Sequence, residues 1–364
     1  MARRSPLHLL FRRLLLALAS AIVAIAAAEL IYRGCEDEPL RSWIVGPDGK
    51  MIDRDAAIAW LRQEAPARDA GALPSGGLRP GARFRVVYRP RTRDCFAQDG
   101  SVAYEIGRHG FRDLDFSLAK RPGEFRVLAI GDSFTFGLGM PLELTWVQRL
   151  EGMLRRGRSQ PVEVVNAGFV EAAHEPSGYE RWLSSDGMRL DPDLVLVGFC
   201  LNDMGPVPML SYPVVPRTAV LGGVSHLLDD LVHGYQQLAA READRSALLP
   251  QLELIRDFET WHAAQRGLLG MQGLAARHDV PFAVVVFPML TELERNPFAR
   301  LHAIVREFCA RNGMRCLDLE HAFDGHRDED LWVHPTDQHP NEVAAEIIAE
   351  RIHRWLENEH LVPE

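Results

Sequence analysis

Apolar and polar positions change rhythm several times along the chain. From residue 14 to 28 every position but Ser20 is apolar, and Leu30, Ile31 and Tyr32 continue the run beyond Glu29. Arg3, Arg4, Arg12 and Arg13 lie ahead of it. Basic residues followed by an apolar stretch of this length predict a helix able to cross a bilayer, with its start in the cytoplasm and the rest of the chain exported. A cleaved signal peptide is the other reading, with Ala26, Ala27 and Ala28 as the small-residue site. The first reading places the chain in the cytoplasmic membrane as a single-pass, periplasm-facing protein; the second makes it secreted.

Residues 53–64 read as a short helix, and 66–81, rich in Pro, Gly, Ala and Ser, as a linker. Residues 84–88 and 102–106 read as strands around a turn at Asp99-Gly100, a small β-rich lead-in. From Phe125 the pattern alternates between strand and helix. Short apolar runs at 125–130, 162–165, 194–198, 282–287 and 315–319 are the strands. Leu142, Trp146, Leu150 and Leu154 recur every four residues on one helical face, and Val343, Ile347, Ile348, Ile352 and Trp355 mark a last helix. Continuously apolar strands alternating with helices predict an α/β domain, a parallel sheet of about five strands covered on both faces. The expected organisation is a cytoplasmic start and anchor at 1–33, the linker and lead-in at 34–109, and the main domain at 110–364. A mostly helical insertion falls at about 205–278.

A chain of 364 residues with a net charge of −9 buries a normal core and is a poor nucleic-acid partner. Cys35, Cys95, Cys200, Cys309 and Cys316 contain no CxxC pair, so zinc is not suggested. Export permits disulfides, and Cys309 and Cys316 either pair or serve as small buried apolar residues.

Ligands on parallel sheets bind at the carboxyl ends of the strands. Three such ends carry polar residues: Asp132-Ser133, Asn166 to Gly168, and Asn202-Asp203. A serine in a tight strand-to-helix turn presents its hydroxyl beside unpaired backbone N–H groups. Such a hydroxyl needs an adjacent base, and the base needs a carboxylate on its other nitrogen. His339 and Asp337 are the candidates for those roles. His334 reads as a surface histidine. Asp132 and Asp203 read as loop anchors. His326, Asp328, Asp330 and His334 show no recognised metal-ligand spacing. There is no HExxH, P-loop, GxGxxG or GxSxG motif.

The block Gly131-Asp132-Ser133 resembles the first motif of the SGNH (GDSL-like) hydrolases. Gly168 matches the glycine of the second motif. Asn202 and Asp203 match the third, although its glycine, here Gly198, stands two residues too far back. Asp337-Gln338-His339-Pro340 matches the last, although the family often carries the Asp three residues before the His, where this chain has Thr336. Gly110-Phe111-Arg112-Asp113 resembles a lead-in of anchored members. The resemblance implies a flavodoxin-like three-layer sandwich and a serine esterase acting through an acyl-serine intermediate without cofactor or metal. Ser133 is then the nucleophile, His339 the base and Asp337 its carboxylate partner. The N–H groups of Ser133 and Gly168 and the Asn202 amide form the oxyanion hole. The implied substrate is a small acyl ester or an O-acylated carbohydrate or lipid. Two alternatives remain: an O-acetyltransferase acting on an envelope polysaccharide, and a non-catalytic glycan-binding scaffold.

Overall fold

A strand such as Leu194–Cys200 or Phe282–Phe287 offers no polar side to water and must be covered from both faces. The computed structural model describes residues 40–62, 74–170, 176–205 and 258–363, with scattered helical positions between 16 and 29 and between 232 and 242. Its described elements run as follows. β1 (Arg41–Val45), β2 (Met51–Ile52), α1 (Arg54–Arg62), β3 (Arg83–Arg89) and β4 (Ser101–Glu105) form the lead-in. β5 (Phe125–Gly131), α2 (Ser133–Phe136), α3 (Trp146–Arg155), β6 (Val162–Gly168), α4 (Pro176–Ser185) and β7 (Leu194–Cys200) follow. Then come α5 (Glu259–Arg277), β8 (Phe282–Phe287), α6 (Ala299–Arg311) and β9 (Arg315–Asp318). The last are α7 (Asp328–Leu331), β10 (Trp332–His334), β11 (Asp337–Pro340) and α8 (Glu342–Asn358).

β5 to β9 form one parallel sheet in the order β6-β5-β7-β8-β9, with helices on it, which is the flavodoxin-like arrangement. β5 sits where the strand order reverses, so the loop after it opens into the crevice that such sheets offer to ligands. β5 to β8 are near-continuously buried, as their sequence requires, while the edge strand β9 is partly exposed. α3 packs with α8, and α4 with α5. The carboxyl ends of β5, β6 and β7 are aligned: Gly131 pairs with Gly168 on one side and Gly198 on the other. These three glycines make a floor without side chains, and α2 lies on it. A Cβ on Gly168 would stand 2.1 Å from the Phe136 nitrogen, and one on Gly131 2.2 Å from Thr135 Oγ1.

The lead-in is a four-stranded antiparallel sheet, β2-β1-β3-β4. One face of it packs on the main sheet's site end: Phe84, Val86, Tyr88, Val102 and Tyr104 share a core with Phe136, Met140 and Val333. Alternation in Arg83–Arg89 makes that face visible in sequence, but β1 and the two-residue β2 carry no such signal.

The helical insertion expected at 205–278 needs correction at its end. α5 is a helix of the sandwich itself, with Trp261 buried edge-on against Phe199 and Phe308. The chain divides into two compact units, residues 40–209 with 249–364, which hold every element named above, and residues 1–39 with 210–248. Among the described residues no helix is long and apolar enough to cross a membrane. Most of the apolar run at 14–32, Cys35, His174, much of the 66–81 linker and most of 205–258 lie outside the described residues. Cys309 and Cys316 are free thiols.

Candidate active site

The strand-to-helix turn after β5 is built by its own residues. Asp132 is the N-cap of α2, its Oδ1 accepting from the Phe134 N–H at 2.9 Å. Ser133 is therefore the first helical residue, where a backbone N–H has no partner inside the helix. The helix lasts one turn and stops at Gly137, whose φ of 79° suits glycine. Arg112 holds the far end of this turn. Its guanidinium is buried, donates to the carbonyls of Phe136, Gly137 and Met140, and lies over the rings of Tyr104 and Phe136. Asp113 fastens the neighbouring strand end, accepting from the Asn166 N–H at 2.7 Å and from Gln148 Nε2 at 2.6 Å. The Gly110-Phe111-Arg112-Asp113 segment is thus a clamp on two loops of the site, a role its sequence alone did not disclose.

The other half of the site is the hairpin β10–β11, in which Trp332 pairs with Pro340 and His334 with Asp337. Asn341 ties the hairpin to α8. Its Oδ1 caps the helix by accepting from Val343 and Ala344, and its Nδ2 donates to the carbonyls of Asp330 and Trp332. The hairpin brings His339 Nε2 to 2.9 Å from Ser133 Oγ. His339 Nδ1 lies 2.5 Å from Asp337 Oδ1, which also accepts the His339 backbone N–H. Asp337 Oδ2 accepts from the Tyr88 hydroxyl at 2.6 Å. Ser133, His339 and Asp337 are each partly buried.

Charge is distributed accordingly. Burial works to raise the Asp337 pKa, but the facing His339 and the bonds from His339 and Tyr88 outweigh it and hold the carboxyl down at about 2. Burial works to lower His339, but the Asp337 carboxylate dominates and the imidazole is raised above its ordinary 6.5. Burial raises Asp132, whose Oδ2 receives Asn202 Nδ2 at 3.3 Å.

The structure thus brings together Ser133, His339 and Asp337, and places Asn202 beside Ser133 through Asp132. An amide nitrogen carries two protons, so Asn202 keeps one for a second acceptor. Gly168 is different. Its N–H donates to Asn166 Oδ1 at 3.0 Å, and its α-carbon lies under α2. It serves close packing, and its N–H is engaged by the Asn166 side chain. Gly198, which seemed displaced from its motif, is the third glycine of the same floor. Asp203 is a loop anchor, accepting from the Cys200 N–H and the Tyr179 hydroxyl, each at 3.0 Å. His334 is buried, not superficial: its ring bonds with Thr336 and the Pro90 carbonyl, away from Ser133. Asp328 accepts backbone N–H groups of Glu292 and Leu293 while Asp330 pairs with Arg327, so those two serve separate local structures. Among the described residues His302, Asp318 and Glu320 have the composition of a metal site, but Arg306 already pairs with both carboxylates.

A family model for GDSL-like lipases and acylhydrolases matches residues 129–347, more than half of the chain. The chain belongs to this family. A search of the curated proteins gave no match. Three solved structures are similar to this GDSL-like hydrolase. One is a protein assigned to the lipolytic G-D-S-L family from Desulfitobacterium hafniense, 17% identical, covering 64% of this chain and 99% of its own, with a TM-score of 0.40. The second is a two-domain esterase active on acetylated mannans, 14% identical, covering 67% of this chain and 52% of its own, with a TM-score of 0.40. The third is an acetylxylan esterase from Geobacillus stearothermophilus, 14% identical, covering 64% of this chain and 94% of its own, with a TM-score of 0.39. This GDSL-like hydrolase is of the ester-cleaving class.

Proposed function

We propose that the protein cleaves an ester or O-acyl group through an acyl-serine intermediate. The observation that carries this reading is the unbroken run of hydrogen bonds from Ser133 Oγ through His339 to Asp337. His339 Nε2 removes the hydroxyl proton as Ser133 Oγ attacks the carbonyl carbon, and Asp337 holds the imidazolium that forms. The Ser133 N–H and the Asn202 amide stabilise the oxyanion. The tetrahedral intermediate collapses, His339 protonates the departing alcohol, and water repeats the sequence in reverse to release the acid. An acetyl or other short acyl group on a carbohydrate, or a lipid ester, is the substrate class we favour. Basic residues ahead of the apolar run at 14–32 favour a site outside the cytoplasmic membrane.

The test is turnover of a short-chain p-nitrophenyl ester by the wild type and by Ser133→Ala. The variant should lose activity by roughly a thousandfold or more, and a fluorophosphonate probe should label Ser133 in the wild type alone. Undiminished turnover in the pure variant would sink the acyl-serine mechanism. Acyl gain instead of acyl loss on an extracellular polysaccharide would replace water by a sugar hydroxyl as acceptor.

A further inference from the structure

Asp337 has two carboxylate oxygens, and only one faces His339. The other is met by a residue 249 positions earlier in the chain, Tyr88 of β3. We propose that Tyr88 is a positioning residue of the site, fixing the plane of Asp337 so that Oδ1 stays on His339 Nδ1; this rests on the acyl-serine reading above.

The geometry is specific. The Tyr88 side chain is buried at 1% exposure. Its ring is stacked on Phe96 at 5.1 Å and tilted against His334 at 5.3 Å, so the hydroxyl cannot swing away. Its backbone is held on both sides, by Ser42 of β1 and by the Gly100 carbonyl. A neutral phenol on a rigid ring is a directed donor, and a bond to an ionised acceptor is among the stronger hydrogen bonds. Burial raises the phenol well above its usual pKa, so it remains a donor wherever His339 can act as a base. Without that donor Asp337 would keep an unsatisfied oxygen in an enclosed place, free to rotate or to take up water. Tyr88 stands outside the matched segment 129–347. The lead-in sheet therefore does more than space the main domain from what precedes it: it supplies a support for the carboxylate of the triad.

The experiment compares wild type, Tyr88→Phe and Ser133→Ala in the full chain. Tyr88→Phe keeps the ring stack and removes only the hydroxyl. We expect kcat to fall roughly ten- to hundredfold with KM within about twofold of wild type, and fluorophosphonate labelling of Ser133 to slow by the same factor as kcat. The downfield proton of the His339–Asp337 bond in the NMR spectrum should shift, while the thermal midpoint stays close to wild type. A wild-type kcat with an unmoved resonance, in a protein inactivated by Ser133→Ala, overturns the role of Tyr88 and leaves the mechanism standing. A lowered midpoint with an unmoved resonance marks a merely structural tyrosine and overturns it too. Turnover that survives Ser133→Ala overturns the mechanism itself, and the role of Tyr88 with it.

Discussion

His339 and Asp337 set each other's ionisation, and the consequences have opposite signs. A base must be neutral to accept a proton, so kcat/KM should rise with pH through a midpoint above 6.5, the ordinary value from which His339 is raised. Asp337→Asn should lower kcat roughly ten-thousandfold and move that midpoint down, because the carboxylate that chiefly opposes burial at the imidazole is then gone. A pH profile of both proteins on one ester measures this; an unmoved midpoint would show that Asp337 does not govern the base. The pair also links folding to pH. Asp337 is depressed from 3.8 to about 2, so its stabilisation is present above the first value and lost as pH falls through the second. His339 is raised, so its stabilisation is complete below 6.5 and lost as pH rises through its folded value. The urea midpoint of the wild type should therefore drop between pH 4 and pH 2 more than that of Asp337→Asn.

At the scale of elements, α2 is held from below and from its end. The glycine floor sets its height, and Arg112 binds its C-terminal carbonyls. Gly168→Ala would push a methyl group into the Phe136 backbone. It should cost about 1–3 kcal/mol of stability and lower kcat by displacing Ser133, measurable by denaturant titration and by ester turnover. A Gly168→Ala protein of wild-type stability would contradict the floor. Asn341→Ala should cost about 1–2 kcal/mol through the lost helix cap and also free the hairpin that carries His339. Sequence reading reached the sheet and its strand ends, and it named Ser133, Asp337 and His339, which the structure joins by hydrogen bonds, because apolar runs and short motifs are local patterns. It missed the work of Tyr88, Arg112 and Asp113, since a single arginine or tyrosine in an ordinary strand or loop carries no local mark of its distant partner. Gly168 is ambiguous in sequence for a related reason. A glycine needed for close packing and one needed for an approaching oxyanion read alike until the Asn166 side chain is seen on its N–H.

At the scale of the whole molecule, the family segment 129–347 shares a core with residues that lie outside it. Phe136, Met140 and Val333 are covered by Phe84, Tyr88 and Tyr104 of the lead-in sheet, and Arg112 lies between. A chain beginning at residue 110 should expose this apolar face and be insoluble or lack a cooperative thermal transition. A chain beginning at residue 40 should melt cooperatively and turn over ester. Circular dichroism melts of the two would decide it, and a stable, active short chain would show the lead-in to be dispensable. The hairpin that carries His339 has a further consequence, in time instead of space. Ser133 and His339 are 206 residues apart, and the hairpin is short and anchored by its neighbours. Closing so long a loop is rewarded only after the sheet and the lead-in exist to receive it. In refolding, helical signal should therefore return before the capacity to react with a fluorophosphonate. The protein would pass through a state nearly native in shape yet chemically silent, and the last event of its folding would be the first moment of its activity.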